Sequence, residues 1–240
     1  MITTILLDLD GTLLPMEQEA FVQAYFKLLA AKMAPHGYDP KRLVEAIWTG
    51  TKAMVGNDGS RSNEEAFWNC FADIFGEKVR DDLPLFDEFY REDFQKAQSA
   101  CGHTPEAAAL IAWLKERGYR LVLATNPIFP RVATESRMRW AGVSPDDFLL
   151  YTTYETTGFC KPNPEYYRDI LTKLSLNAEE CVMVGNDVEE DMAAERLGMR
   201  VFLLTDCLIN AKQAELSGYA KGSFRELRDW LSKLRSGEAR

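Results

Sequence analysis

Five short runs of Leu, Val and Ile, separated by stretches with helical periodicity, constrain this chain more than any other feature. The runs are Ile5 to Leu9, Arg120 to Thr125, Phe148 to Thr152, Cys181 to Gly185 and Arg200 to Thr205. A strand covered by helices on both faces reads as a near-continuous apolar segment, because neither face meets water. The pattern therefore predicts an α/β fold, with a Rossmann-like parallel sheet at the centre of three α/β/α layers. Local signals mark the intervening helices. Thr104 suits an N-cap and Pro105 the first helical position, and Gly118 suits the end of that helix. Asn163 and Pro164 repeat the opening. Asn177 with Glu180, and Ser223 with Glu226, have capping-box spacing, and the second pair precedes Leu227, Trp230, Leu231 and Leu234 on one face. The polar tail after Trp230 is expected to fray.

The sheet is interrupted. Residues 15–104 contain no strand signal, only apolar stripes at helical spacing: Phe21, Tyr25, Leu28 and Leu29; Phe67, Phe71, Ile74 and Phe75; Phe86, Phe89, Tyr90 and Phe94. Such stripes are read as packing surfaces of a small helical bundle. The expected organisation is a core of residues 1–14 and 105–240, with 15–104 inserted as a helical domain. Within the insertion, Gly56 to Ser62 is the most turn-rich segment and is expected to be an exposed loop.

Composition narrows the environment. With 46% apolar and 27% charged residues among 240, the chain has ordinary globular usage, and its net charge of −9 opposes a phosphate backbone. No nucleic-acid partner is expected. The five cysteines are scattered, without metal-ligand spacing, as suits a reducing compartment. The first residues lack a signal-peptide pattern and no apolar stretch approaches a membrane span, so a cytoplasmic protein without membrane association is expected.

In an open α/β sheet, ligands bind beyond the carboxyl ends of the strands. Polar residues fall there. The first strand ends in Asp8-Leu9-Asp10-Gly11-Thr12, the second in Thr125-Asn126 and the fourth in Gly185-Asn186-Asp187, with Asp191 following; Lys161 comes after the third. Up to four carboxylates, of Asp8, Asp10, Asp187 and Asp191, would share one crevice. Two like charges at ~4 Å repel by about 4 kcal/mol at an effective dielectric of ~20, so the cluster calls for a cation. All-oxygen ligation with room for phosphate suits Mg²⁺. Thr125 and Asn126 offer neutral donors to phosphoryl oxygens, and Lys161 a compensating charge.

With these residues in order, the sequence resembles the haloacid dehalogenase-like superfamily, across residues 1–14 and 105–230, and the insertion resembles the family's helical cap. The 36 residues from Thr125 to Lys161 leave no room for the family's larger cap type. The resemblance implies a Mg²⁺-dependent phosphatase acting on a small phosphorylated metabolite. Asp8 would be the nucleophile, Asp10 the general acid and base, Thr125 and Lys161 the holders of the phosphoryl group. Asp187 would be the direct metal ligand, the Asp10 carbonyl would complete the metal site, and Asp191 would orient these groups or pair with Lys161. Asn186 departs from the family pattern, in which many members carry Asp directly after the glycine, so the choice between Asp187 and Asp191 stays open.

Other chemistries fit the same fold. A dehalogenase is not expected to keep an acid at Asp10. A phosphonatase or a phosphomutase would need groups from the insertion, for which Lys27, Lys32, Lys41 and Lys52 are candidates. Outside enzymes, the alternative is a binding module on a phosphatase fold. Because the strand-end residues recognise only phosphate and metal, substrate choice is assigned to the insertion, with Asn57, Asp58 and Arg61 of the turn-rich loop as candidate substrate readers.

Overall fold

The computed structural model describes residues 1–236. Six parallel strands form one sheet in the order β3-β2-β1-β4-β5-β6. They are β1 (Thr4–Leu7), β2 (Arg120–Leu123), β3 (Leu150–Tyr151), β4 (Cys181–Gly185), β5 (Arg200–Leu204) and β6 (Ala220–Gly222). The five expected strands are present, four of them shorter than their apolar runs. β6 is additional. It spans three residues at the sheet edge with Lys221 exposed, so it carries no apolar run to betray it.

Side chains alternate between the two faces of the strands, and each face has its own helical cover. Ile5, Leu7, Leu123 and Val184 pack with Leu110 and Leu114 of α5 (Pro105–Glu116) and with Leu227 and Leu231 of α8 (Phe224–Ser236). Leu6, Val122 and Met183 face Tyr166, Tyr167 and Ile170 of α7 (Pro164–Leu174). The capping signals at Thr104 and Asn163 are realised, since their side chains accept from the backbone N–H of Glu106 and Glu165. Asn177 does not open a helix: three residues of 3-10 turn, Ala178–Glu180, run directly into β4, which leaves no length for one. α8 continues well past Trp230 with Leu231 fully buried, and the last four residues of the expected frayed tail lie outside the described ones.

Between β1 and α5 the structure is helical, with α1 (Gln18–Met33), α2 (Pro40–Val55), α3 (Asn63–Phe75), α4 (Leu83–Arg91) and a 3-10 stretch from Asp93 to Ala100. Its centre is aromatic. Trp68 and Phe71 meet Phe86 edge-on at 5.2 and 5.7 Å, and Tyr25 meets Phe94 at 6.1 Å. The segment leaves and re-enters side by side, with Met16 bridging Cys101 and the Gly102 N–H donating to the Pro15 carbonyl at 2.7 Å. A third attachment lies at the start of α3. Asn63, fully buried, donates its amide to the Pro127 carbonyl (3.1 Å) and to Cys160 Sγ (3.2 Å). Among the described residues no helix is long and apolar enough to cross a membrane.

Candidate active site

The chain winds from β1 to β2 and β3 on one side and from β4 to β6 on the other, so the order reverses between β1 and β4. A crevice opens where the connections diverge, outside the carboxyl ends of these strands. Asp8 sits at the end of β1, its N–H held by the Val184 carbonyl at 2.9 Å. Gly11, at φ 80°, turns the backbone away in a conformation that disfavours side chains. A Cβ at Gly11 would also lie 2.3 Å from the Asn186 amide nitrogen, so the turn and the β4 loop are packed together.

Lys161 is the electrostatic centre of the floor. It is 1% exposed, and its Nζ donates to Asp8 Oδ1 at 2.9 Å and to Asp191 Oδ1 at 2.6 Å. Burial works against its charge, but the Asp191 and Asp8 carboxylates outweigh that and hold its pKa well above the usual lysine range. Burial pushes Asp191 up to about 6, against the lowering pull of Lys161. Both oxygens of Asp191 are engaged, the second by the Asp187 N–H at 3.0 Å. The carboxylate lies flush on Gly185, where a Cβ would stand 2.0 Å from Oδ2.

Asp187 differs. Its Oδ1 accepts the Glu189 and Glu190 N–H groups at 2.7 and 2.9 Å, and its other oxygen takes no hydrogen bond among the described residues. Asp8 likewise keeps one oxygen outside the Lys161 bond. Asn186 is buried, accepting from the Thr12 hydroxyl at 3.0 Å and donating to the Cys207 carbonyl at 2.6 Å. Among the described residues, no three acidic, His or Cys side chains form a ready metal cage. The oxygen donors present fit instead an open Mg²⁺ site, which takes one or two carboxylates and is completed by water and substrate phosphate.

Thr125 and Asn126 follow β2 into the same cavity. The Thr125 carbonyl accepts from the Thr152 and Tyr166 hydroxyls at 2.6 and 2.9 Å, which fixes the loop, and among the described residues no hydrogen bond engages its own hydroxyl. Asn126 spans the Lys161 N–H (3.2 Å) and Glu190 (2.9 Å). Its carbonyl oxygen accepts from Lys161 and its amide donates to Glu190, so the side chain helps hold the site together. Burial raises Glu190 to about 8.

Asp10 is paired with Arg137 on α6 (Arg131–Trp140), a contact absent from the sequence-based expectation. Arg137 is 1% exposed, lies 4.4 Å above the Phe129 ring, and bonds the Ala133 carbonyl at 3.3 Å. The one sequence signal for it was its position four residues after Ala133 and three before Trp140, on the buried face of its helix. The second oxygen of Asp10, Oδ1, is buried without a partner. Burial raises the Asp10 pKa, and the nearby Asp8 charge adds to this against the lowering effect of Arg137.

Asn57, Asp58 and Arg61, expected as substrate readers, do not line the cavity. The loop is folded onto the core instead. Asn57 donates to the Arg61 carbonyl and to Asn63 Oδ1, both at 2.9 Å, and Asp58 caps its own turn at the Ser60 N–H. A Cβ on Gly59 would stand 2.1 Å from the Phe159 ring, so the loop touches the β3–α7 connection. Lys27, Lys41 and Lys52 are exposed and Lys32 is paired with Glu88; none of them borders the cavity. The cavity, of about 990 Å³, is bordered by Phe21 and Tyr25 of α1, Phe67 of α3 and Phe86 and Tyr90 of α4, so members of the aromatic stripes serve as site walls as well as packing surface.

The haloacid dehalogenase-like hydrolase family matches residues 2–198. The chain is 26% identical over 201 residues to protein CbbY of Cereibacter sphaeroides, covering 83% of each. It is 24% identical over 209 residues to the ribulose-1,5-bisphosphate 5-phosphatase of Halopiger xanaduensis, covering 85% of this chain and 84% of that one. Its fold is similar to a crystal structure of 2-haloacid dehalogenase from Pseudomonas syringae pv. Tomato DC3000, with a TM-score of 0.63, 21% identity, and 98% and 100% of the two chains covered.

Proposed function

The chain belongs to the haloacid dehalogenase-like hydrolases, and from that premise we propose that it is a Mg²⁺-dependent phosphatase that hydrolyses a small phosphate monoester through an aspartyl-phosphate on Asp8. The observation that carries the reading is the position of Lys161 between Asp8 and Asp191, beside an Asp10 whose proton affinity is raised. A carboxylate fixed on one oxygen by a buried lysine has its other oxygen oriented for attack. Mg²⁺, held by Asp8, the Asp10 carbonyl and Asp187, would neutralise charge on the phosphoryl oxygens.

The steps balance on the chain's own groups. An oxygen of Asp8 bonds to phosphorus while the bond from phosphorus to the leaving oxygen breaks, and Asp10 donates its proton to that oxygen. The Thr125 hydroxyl and Lys161 steady the phosphoryl group. Water then attacks the aspartyl-phosphate, Asp10 takes back a proton, and phosphate leaves with the Asp8 carboxylate restored. Asp191 acts through Lys161 and Asp187 rather than on the substrate. Helices α1 to α4 serve as the cap over the reacting groups, and the likeness to a dehalogenase fold is outweighed by Asp10, which that chemistry does not use.

The test is release of phosphate from 4-nitrophenyl phosphate with and without Mg²⁺, in the parent and in Asp8→Asn. Mg²⁺-dependent turnover that vanishes in the variant supports the reading. Turnover by Asp8→Asn within tenfold of the parent sinks it.

A further inference from the structure

The cavity over Asp8 extends well beyond what phosphate and metal need, and large apolar side chains form much of its lining. Val22 and Phe26 of α1, Trp48 of α2, Phe129 after β2 and Leu208 after β5 face it. Trp48 is 46% and Leu208 37% exposed, so two of the large apolar side chains left in contact with water border this space. Phe26 lies against Trp48 with ring centroids 5.4 Å apart. The Tyr25 and Tyr90 hydroxyls, which bond each other at 3.0 Å, are among the neutral polar groups that border the cavity.

Charge is one-sided. Among the described residues lining the cavity there is no Lys, Arg or His, whereas Glu17, Glu19, Glu190 and Asp206 add carboxylates beyond those of the reacting centre. The two cations beneath the floor, Lys161 and Arg137, are each 1% exposed and already paired with Asp8 and Asp191 and with Asp10. A substrate's reacting phosphate has Lys161 and the metal to meet it. A second phosphate or a carboxylate would lie among acids and aromatic rings with no cation, which costs its hydration without return.

We infer that the leaving group of this enzyme is large, apolar and free of negative charge, such as an alkyl or aryl alcohol, and that sugar bisphosphates and phosphorylated acids are disfavoured. This rests on the phosphatase reading and narrows it. Each methylene moved from water into such a cavity multiplies affinity by about four. Chain length should therefore act strongly where leaving-group chemistry is held constant.

The experiment compares ethyl phosphate, n-octyl phosphate, 2-phosphoglycolate and fructose 1,6-bisphosphate in Mg²⁺, with tryptophan fluorescence titrated in parallel using octyl phosphate and the bisphosphate. The expected result is kcat/KM for octyl phosphate about 10-fold or more above each of the others, carried mostly by KM. Replacing Thr51, which borders the cavity on α2, by Lys should narrow the gap to the bisphosphate. A preference for either anionic substrate over octyl phosphate overturns the inference and leaves the phosphatase reading standing. If no ester is hydrolysed, the phosphatase reading fails, and the fluorescence decides the cavity separately: tighter binding of octyl phosphate upholds the apolar class, and equal or tighter binding of the bisphosphate overturns it.

Discussion

Arg137, buried on α6, donates to one carboxyl oxygen of Asp10 and leaves the other without a partner among the described residues. Such an arrangement fixes the plane of the carboxyl group and leaves its open oxygen for the proton transfer proposed for it. Arg137→Met should therefore lower kcat by about 10-fold or more with KM little changed, the signature of an interaction made in the transition state. The penalty should be larger for an alkyl phosphate than for 4-nitrophenyl phosphate, whose leaving group needs less protonation. Guanidinium in the buffer should restore part of the rate. Equal loss on both substrates without rescue would reduce Arg137 to a packing role.

Removing the proposed nucleophile should separate chemistry from stability. In Asp8→Asn, Lys161 keeps its bond to Asp191, so no buried charge is left alone. Turnover should fall below detection while the melting temperature stays within a few degrees of the parent. Lys161→Met is the contrast. It strands Asp191 in the interior, and breaking a buried pair in this way costs roughly 3–5 kcal/mol. A melting temperature unchanged in Lys161→Met would contradict the electrostatic account of the floor.

Asp187 and Asp191 should part company in a metal titration. Asp187 has an oxygen that no group among the described residues engages, whereas both oxygens of Asp191 are held by Lys161 and the Asp187 N–H. Removing Mg²⁺ with a chelator should abolish activity, and Asp187→Asn should raise the Mg²⁺ concentration needed for half-maximal activity by about 10-fold or more, in the range seen when metal-site groups are altered. Asp191→Asn should instead lower stability with a smaller change in Mg²⁺ requirement. The reverse pattern would make Asp191 the ligand.

How far the sequence could be read follows from which signals are local. Strands covered on both faces announce themselves by continuous apolarity, as Cys181 to Gly185 does, whereas the three-residue edge strand at Ala220 has no such run. Asp8, Thr125, Lys161 and Asp187 were legible because strand ends converge by topology. Arg137 was not, because a cation on a helix face reads as solvated unless its partner, 127 residues away, is known. The aromatic stripes were read as packing alone, since periodicity reports that a face is covered and not by what.

The turn-rich loop shows the same ambiguity from the polar side, and it yields the last prediction. Asn and Asp in a loop look alike in sequence whether they read a ligand or hold the loop down. Here Asn57 supports Asn63, and Asn63 carries the helices onto the core through Pro127, Cys160 and the Thr157 carbonyl. Asn63→Ala would leave buried carbonyl partners unsatisfied at a cost of about 1–3 kcal/mol. At roughly 2–4 °C per kcal/mol for a chain of this size, thermal denaturation should record a fall of several degrees. Asn57→Ala should show a smaller fall in the same direction. Because neither residue borders the cavity, kcat/KM should change by a similar factor for octyl phosphate and for 4-nitrophenyl phosphate in both variants. A variant that melts like the parent but shifts the ratio between the two substrates would restore the loop to the role of substrate reader.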